Sequence, residues 1–458
     1  MSRRTCRPRM SSRAWRHGNP SIVRAARPTE RIRRIDPQDR WSSDVSLSHQ
    51  HSLAIVRTLD VPDGNTMTNS FAPFIDNRHS AETSLVRRYL AASGDELDAR
   101  TRRQFHDWLA RASVQEGVRL FPLFEHRGVA IHLLDESSLM HTRTFKSIDG
   151  CVTAAHCRLA GHLRVVLESG GNSGTALAAY CQRLGIETFC FVPQANLPLL
   201  NGEVFANPTS HLIAVKIRGM VKEATHRFAQ QRGLTLVPRV EWRLEAAMFR
   251  GFFILEQMLA GNCFDWLAQT ISAGFGPIGI YRALMRHRGE FELLPRFLGV
   301  QQASNCPMYR AWLASIGGVA TIPERDEPLL VSVMYDEKPQ THGTFAALER
   351  VLVNSGGSMT TVDASELDEF LSRRFDGRTP LQLLHDNGVL VAIRNGEVVE
   401  KAGLLALAGV VKAIDAGVVA AGSRVLCSLT GAAGGGGGNA VPEHVIDSLA
   451  QVDQLPLP

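Results

Sequence analysis

The sequence predicts an α/β protein of two domains, each a largely parallel, twisted sheet covered by helices. Three observations carry this. Short apolar runs alternate with helical-period segments over 148–230 and again over 244–429. Glycine-rich turns follow several of those runs, and 458 residues at 44% hydrophobic and 21% charged suffice for two packed domains.

In chain order, 1–66 reads as a basic tail, and low hydrophobicity with one dominant charge sign before Asp36 predicts disorder there. The cluster Arg31-Ile32-Arg33-Arg34 has no aromatic among its arginines, unlike a single-strand nucleic-acid surface, so the net charge of +5 implies no nucleic-acid partner. Amphipathic helices are expected over 82–92 and 96–112, and a strand over 129–134. A βαβ block follows, with helices at 148–159, 175–184 and 221–230 and strands at 163–167, 188–192 and 211–216. The second block has strands at 266–272, 297–301 and 424–429. Its helices fall at 244–259, 278–287, 341–352, 365–374 and 402–416, with Asp363 or Ser365 capping the fourth. The division implied is 67–147 with 243–458 as the larger domain and 148–242 as the smaller one.

No apolar run approaches the ~20 residues needed to span a bilayer, and no hydrophobic core follows the basic start. A soluble, cytoplasmic protein without a membrane partner is expected. Eight cysteines contain no C-x-x-C pair and lie mostly in apolar stretches such as Phe189-Cys190-Phe191, so neither disulfides nor a metal site is expected.

Four segments draw attention. Thr144-Phe145-Lys146-Ser147 ends a polar loop where a helix starts, a place where desolvation and the helix's positive end lower a lysine's pKa. A solvated surface lysine is the plainer reading. Ser169-Gly170-Gly171-Asn172-Ser173-Gly174 joins a strand to a helix. Its backbone suits a carboxylate and Asn172 can donate to a phenolate, though a simple tight turn reads equally well. Thr175 stands where a nucleophile elbow requires glycine, which argues against a serine hydrolase. Ser272-Ala273-Gly274-Phe275-Gly276 has the composition of a phosphate cradle. With Gly279 it also matches G-x-G-x-x-G, but the next strand ends in Gln301-Gln302-Ala303-Ser304, without the acid that holds a dinucleotide ribose. Ser428-Leu429-Thr430-Gly431 places hydroxyls at a strand end before the run 434–438.

Taken in order, these segments resemble the fold-type II pyridoxal-phosphate enzymes, the tryptophan synthase β type, over roughly 128–431. Thr142-Arg143-Thr144-Phe145-Lys146 is similar to that family's T-G-S-F-K, and Ser169, Gly171, Asn172 and Gly174 match its S-x-G-N-x-G. Ala179-Tyr180-Cys181, Gly185-Ile186 and Val192-Pro193 follow as they do in the family. Threonine synthase and cysteate synthase are the most similar branches, through 273–278 and 428–431. Arg143 departs from the family glycine, and Gly170 from a hydroxyl residue.

The resemblance implies pyridoxal 5′-phosphate as cofactor, Lys146 as its Schiff-base lysine and the base for the α-proton, and Asn172 facing the cofactor's O3′. It further implies Ser272, Ala273, Gly274, Phe275 and Gly276 at the phosphate, and Thr430, with Ser428 as substitute, at the ring nitrogen. Ser169, Gly170, Gly171, Ser173 and Arg143 would meet an amino-acid substrate. The implied reaction is β- or γ-elimination or replacement, on an O-phospho amino acid if Arg143, Arg250, Lys338 or His342 supplies the charge. The implied assembly is a homodimer. Alternatives are a lyase or deaminase without nucleophile addition, a NAD-dependent oxidoreductase using the Gly274 turn, and a silent binding protein.

Overall fold

A computed structural model describes residues 22–24, 71–169, 171–291, 293–318, 328–335, 344–394, 396–399, 401–431 and 440–456. Gly170, Lys338, His342, the run 434–438 and the tail apart from 22–24 lie outside these residues.

In chain order, Ile22–Arg24 forms β1, Ala99–Ala112 α1, and Arg119–His126 with Val129–Asp135 the hairpin β2–β3. Then come Lys146–Leu159 (α2), Arg164–Glu168 (β4), Asn172–Arg183 (α3), Glu187–Pro193 (β5), Ser210–Val215 (β6) and Val221–Arg232 (α4). Thr235–Leu236 (β7) precedes Val240–Leu259 (α5), Trp266–Thr270 (β8), Phe275–Arg286 (α6), Arg296–Gln302 (β9), Phe345–Ser355 (α7) and Ser358–Val362 (β10). The chain ends through Ala364–Ser372 (α8), the short hairpin Ile393–Arg394 (β11) and Glu397–Val398 (β12), Ala402–Asp415 (α9), Arg424–Leu429 (β13), His444–Ile446 (β14) and Leu449–Gln454 (α10).

The larger sheet runs β1-β10-β9-β8-β13-β3-β2, parallel except at its two edge strands. β13 inserts between β3 and β8, with Leu429 opposite Asp135 and Cys427 opposite Ala268. Chain order therefore reverses beside β13, a topology in which ligands bind at the C-terminal edge of the strands. The smaller sheet, β14-β6-β5-β4-β7, is parallel throughout. Its strands are buried runs such as Ser210–Val215, as expected for parallel strands covered on both faces.

α9 covers one face of the larger sheet with Leu404, Leu405, Leu407 and Val410 fully buried. Each such side chain contributes about 1.5–3 kcal/mol. Asp363 caps α8 in a capping box with Glu366, one of the two caps the sequence offered. Among the described residues no helix is long and apolar enough to cross a membrane.

Two expectations need correction. The helix expected over 82–92 is a single turn, Leu85–Arg88, followed by a 3-10 turn. Arg88 and Tyr89 both reach Glu256 on α5, and that long-range tether outweighs the local periodicity. The C-terminal segment, assigned with the larger domain, joins the smaller sheet. There β14 pairs with β6, and His211 bonds both Glu187 and Glu443 (3.0 Å each). Three strand residues carry too short a pattern to assign by periodicity.

α2 approaches α3 so closely that a Cβ on Gly150 would stand 2.6 Å from Ala176 O. The substitution Gly150→Ala should therefore lower unfolding free energy by about 1–3 kcal/mol, read as a lower urea midpoint. An unchanged midpoint would mean the helices part without cost.

Candidate active site

Lys146 opens α2 and is tied to the end of β13. Thr144 bridges to Gly431, and the Phe145 N–H donates to Thr430 O at 3.3 Å. Its Nζ donates to Asp149 Oδ2 at 3.1 Å, one helical turn on. The Phe145 ring lies between two cations, with Nζ 4.3 Å and the Arg250 guanidinium carbon 4.6 Å from its centre. Burial holds the Lys146 pKa below the ordinary lysine range. Arg243 and Arg250 push the same way, and Asp149 opposes them.

Arg143 has φ +62°, a conformation that favours glycine, and this accounts for a glycine in the matching family position. Its guanidinium donates to Ser138 O at 2.7 Å, so this exposed arginine folds back on its own loop.

The turn after β4 is built around Ser169. Its Oγ accepts from the N–H groups of Gly171 (2.9 Å) and Gly174 (2.7 Å), so the hydroxyl is engaged in shaping the turn. Gly171, with φ +141°, leads into α3, whose first residues Asn172 and Ser173 lie half-buried at the positive helix end. A Cβ on Gly171 would stand 3.2 Å from Val333 Cγ1, so 331–335 roofs this turn.

After β8, Gly274 (φ +80°) caps α6, and Ala273 O accepts from Thr344 Oγ1 at 2.5 Å. Ser272 precedes them, and Phe275 and Gly276 open the helix. A Cβ on Gly276 would meet Gln269 Nε2 at 2.5 Å and Arg250 Nη1 at 2.9 Å. Arg250 is held bidentately by Glu136, at 2.5 Å for both bonds, with neither side chain exposed. The sequence raised Arg250 as a substrate-side charge, but its burial beneath α6 removes it from that role. Thr430 Oγ1 lies 3.5 Å from Thr270 Oγ1, which joins the ends of β13 and β8.

Lys146, Thr430 and the 272–276 turn thus share the C-terminal edge of the larger sheet. The Asn172 turn belongs to the smaller sheet and is brought alongside by the packing of α2 on α3. Three residues were not singled out from the sequence. Asp149 was legible as an acid at i+3 from the lysine. Glu136 and Arg243 had no local signal. Arg243 is half-buried at the start of α5, with its guanidinium 5.0 Å from the Phe275 ring centre.

The family model described as pyridoxal-phosphate dependent enzyme matches residues 115–366, more than half of the chain. This chain belongs to that family. It is similar to the threonine synthase of Mycobacterium leprae, 26% identical over 77% of this chain and 89% of that protein. It is also similar to the cysteate synthase of Methanosarcina barkeri, 25% identical over 65% of this chain and 70% of that protein. Among solved structures, diaminopropionate ammonia lyase from Escherichia coli aligns with TM-score 0.53 at 14% identity, over 78% of this chain and 92% of that one. A pyridoxal 5′-phosphate-dependent aspartate racemase aligns with TM-score 0.52 at 16% identity, over 74% and 96%. At these identities the structures speak to the fold alone.

The enzyme depends on pyridoxal 5′-phosphate, and the residues present fit that group. A half-buried amine stands beside a strand end, a side-chain-free turn caps a helix, and the buried Arg250 Nη1 beneath that turn has no hydrogen-bond partner. Family membership also replaces the NAD reading of the Gly274 turn. Gln301 and Gln302 instead accept backbone N–H groups of Tyr309 and Val331, both at 2.9 Å.

Asp149 raises the Lys146 pKa, so Asp149→Asn should lower it and free the amine at lower pH. The acid limb of cofactor coupling, followed by absorbance against pH, should move to lower pH. Movement to higher pH would show that Asp149 does not act on this amine.

Proposed function

We propose that this lyase/synthase-class enzyme performs β- or γ-elimination or replacement on an O-phospho amino acid, in the manner of a threonine or cysteate synthase. The observation that carries the reading is the half-buried Lys146 amine, tied to the end of β13 beside the 272–276 turn. Relatives named threonine synthase and cysteate synthase support the substrate class.

When bound, the cofactor supplies an electron sink for charge developing at the substrate's α-carbon. Lys146 would hold the cofactor and move the α-proton, and burial, which lowers its pKa, favours the neutral amine that a base requires. Asp149 orients that amine. Asn172 would help hold the cofactor, and the start of α3 with Ser173 would draw the substrate carboxylate, in a turn that Ser169 and Gly171 shape. The backbone of 272–276 takes the cofactor phosphate. The neutral hydroxyl of Thr430 would hold the cofactor ring without supplying a proton, chemistry that would favour elimination over transamination. Arg143 is turned toward Ser138, so Arg243 is the better substrate-phosphate donor: it is half-buried, beside Phe275, and its charge reaches Lys146.

The seven described cysteines are all free, which supports a reducing compartment such as the cytoplasm. A homodimer is proposed with the family reading.

Holoenzyme given O-phosphoserine or O-phosphohomoserine should release phosphate together with a new amino acid when a nucleophile is present. Keto acid and ammonia alone would favour the lyase reading, and no phosphate from either substrate would exclude this substrate class. Arg243→Ala should raise KM for the phosphorylated substrate roughly 10- to 100-fold, with little change in cofactor affinity. Lys146→Ala should abolish borohydride fixation of a pyridoxyl group. If the mutant still carries one on another lysine, the assignment of Lys146 is wrong.

A further inference from the structure

Arg250 lies in the apolar middle of α5, among Phe249, Phe252 and Phe253, and is fully buried. Its Nε and Nη2 edge is used by Glu136, and Nη2 also reaches Gln269 Oε1 at 2.8 Å. Nη1 is left without a partner. A buried guanidinium donor left unmade costs about 1–3 kcal/mol or more, so a partner is expected where this donor points. Nη1 lies against Gly276, the second residue of α6, where a Cβ would stand 2.9 Å from it and 2.5 Å from Gln269 Nε2. Two buried donors therefore converge beside the N-terminus of a 12-residue helix.

We propose that Arg250 Nη1, with Gln269 beside it, donates to an oxygen of the cofactor's phosphate and is a cofactor-binding residue of this enzyme. The proposal rests on the reading above that the phosphate sits at the 272–276 turn. Glu136 fixes the guanidinium plane through one edge and aims the other edge at the turn. The absence of a side chain at position 276 keeps the path between them open.

Apoenzyme is titrated with pyridoxal 5′-phosphate and with pyridoxal, which lacks the phosphate, and the ratio of the two dissociation constants is read from absorbance. The paired variant Glu136→Gln with Arg250→Met removes the donor without stranding a buried carboxylate. The ratio should fall roughly 10- to 100-fold, over and above any loss that the two affinities share. An unchanged ratio, or equal loss of both affinities, overturns the proposal. Ser272→Asp places a negative charge at the turn and tests the underlying reading. If it leaves the ratio unchanged, the phosphate is not held there and the site reading fails. If it collapses the ratio while the paired variant does not, only the Arg250 assignment fails. A crystal structure of the unmodified holoenzyme decides without variants: a phosphate oxygen about 3 Å from Nη1 is expected, and Nη1 bonded elsewhere overturns it.

Discussion

The buried ion pair between Glu136 and Arg250 is the constraint on which the site depends. Glu136 follows β3, and its N–H donates to Leu429 O at the end of β13 (3.1 Å). Arg250 belongs to α5 and reaches Gln269 on β8, Ser428 on β13, the ring of Phe145 and the space beside Gly276. One pair thus sets the relative positions of three strand ends, a helix and the lysine segment. Removing one partner from such a pair typically costs about 3–5 kcal/mol, because the other charge is left buried and unpaired.

Around that hub, the chemistry follows from where parallel strands end. β13 lies between β3 and β8, so the loops after β8 and β13 and the segment before α2 meet at a single edge. The Asn172 turn follows a strand of the smaller sheet and opens α3, which packs on α2. Arg218 links the two parts, donating to Ser332 O (3.2 Å) and to Asn196 Oδ1 (3.1 Å), while Val333 lies over Gly171. Lys146 therefore lies under the charges of Arg243 and Arg250 at a helix start, with Asp149 as the counterweight beside it.

Much of the fold was legible in the sequence because its signals are local. The strand 424–429 and the starts of the helices at 221 and 402 coincide with the sequence reading, since buried runs bounded by turn residues mark their own limits. β10 and the first strand of the β2–β3 hairpin were missed. Pro122 and a register shift interrupt the alternation of β2, and β10 is a buried run of mixed polarity, Ser358–Val362. Among the candidate site residues, Lys146 and the two glycine turns could be proposed from spacing. Arg250 carried a signal too, since a charge among Phe249, Phe252 and Phe253 demands a buried partner. Nothing local named Glu136, 114 positions away, as that partner.

By itself the sequence determined the alternating sheets, the lysine at a helix start and the turns without side chains, because backbone propensity and hydrophobic period act over a few residues. Only the tertiary structure decided which charges face that lysine, that Arg143 turns away while Arg250 is buried, and that the last strand completes the smaller sheet. Those outcomes depend on desolvation and on pairing between distant segments, whose energies exist only once the chain has closed around them.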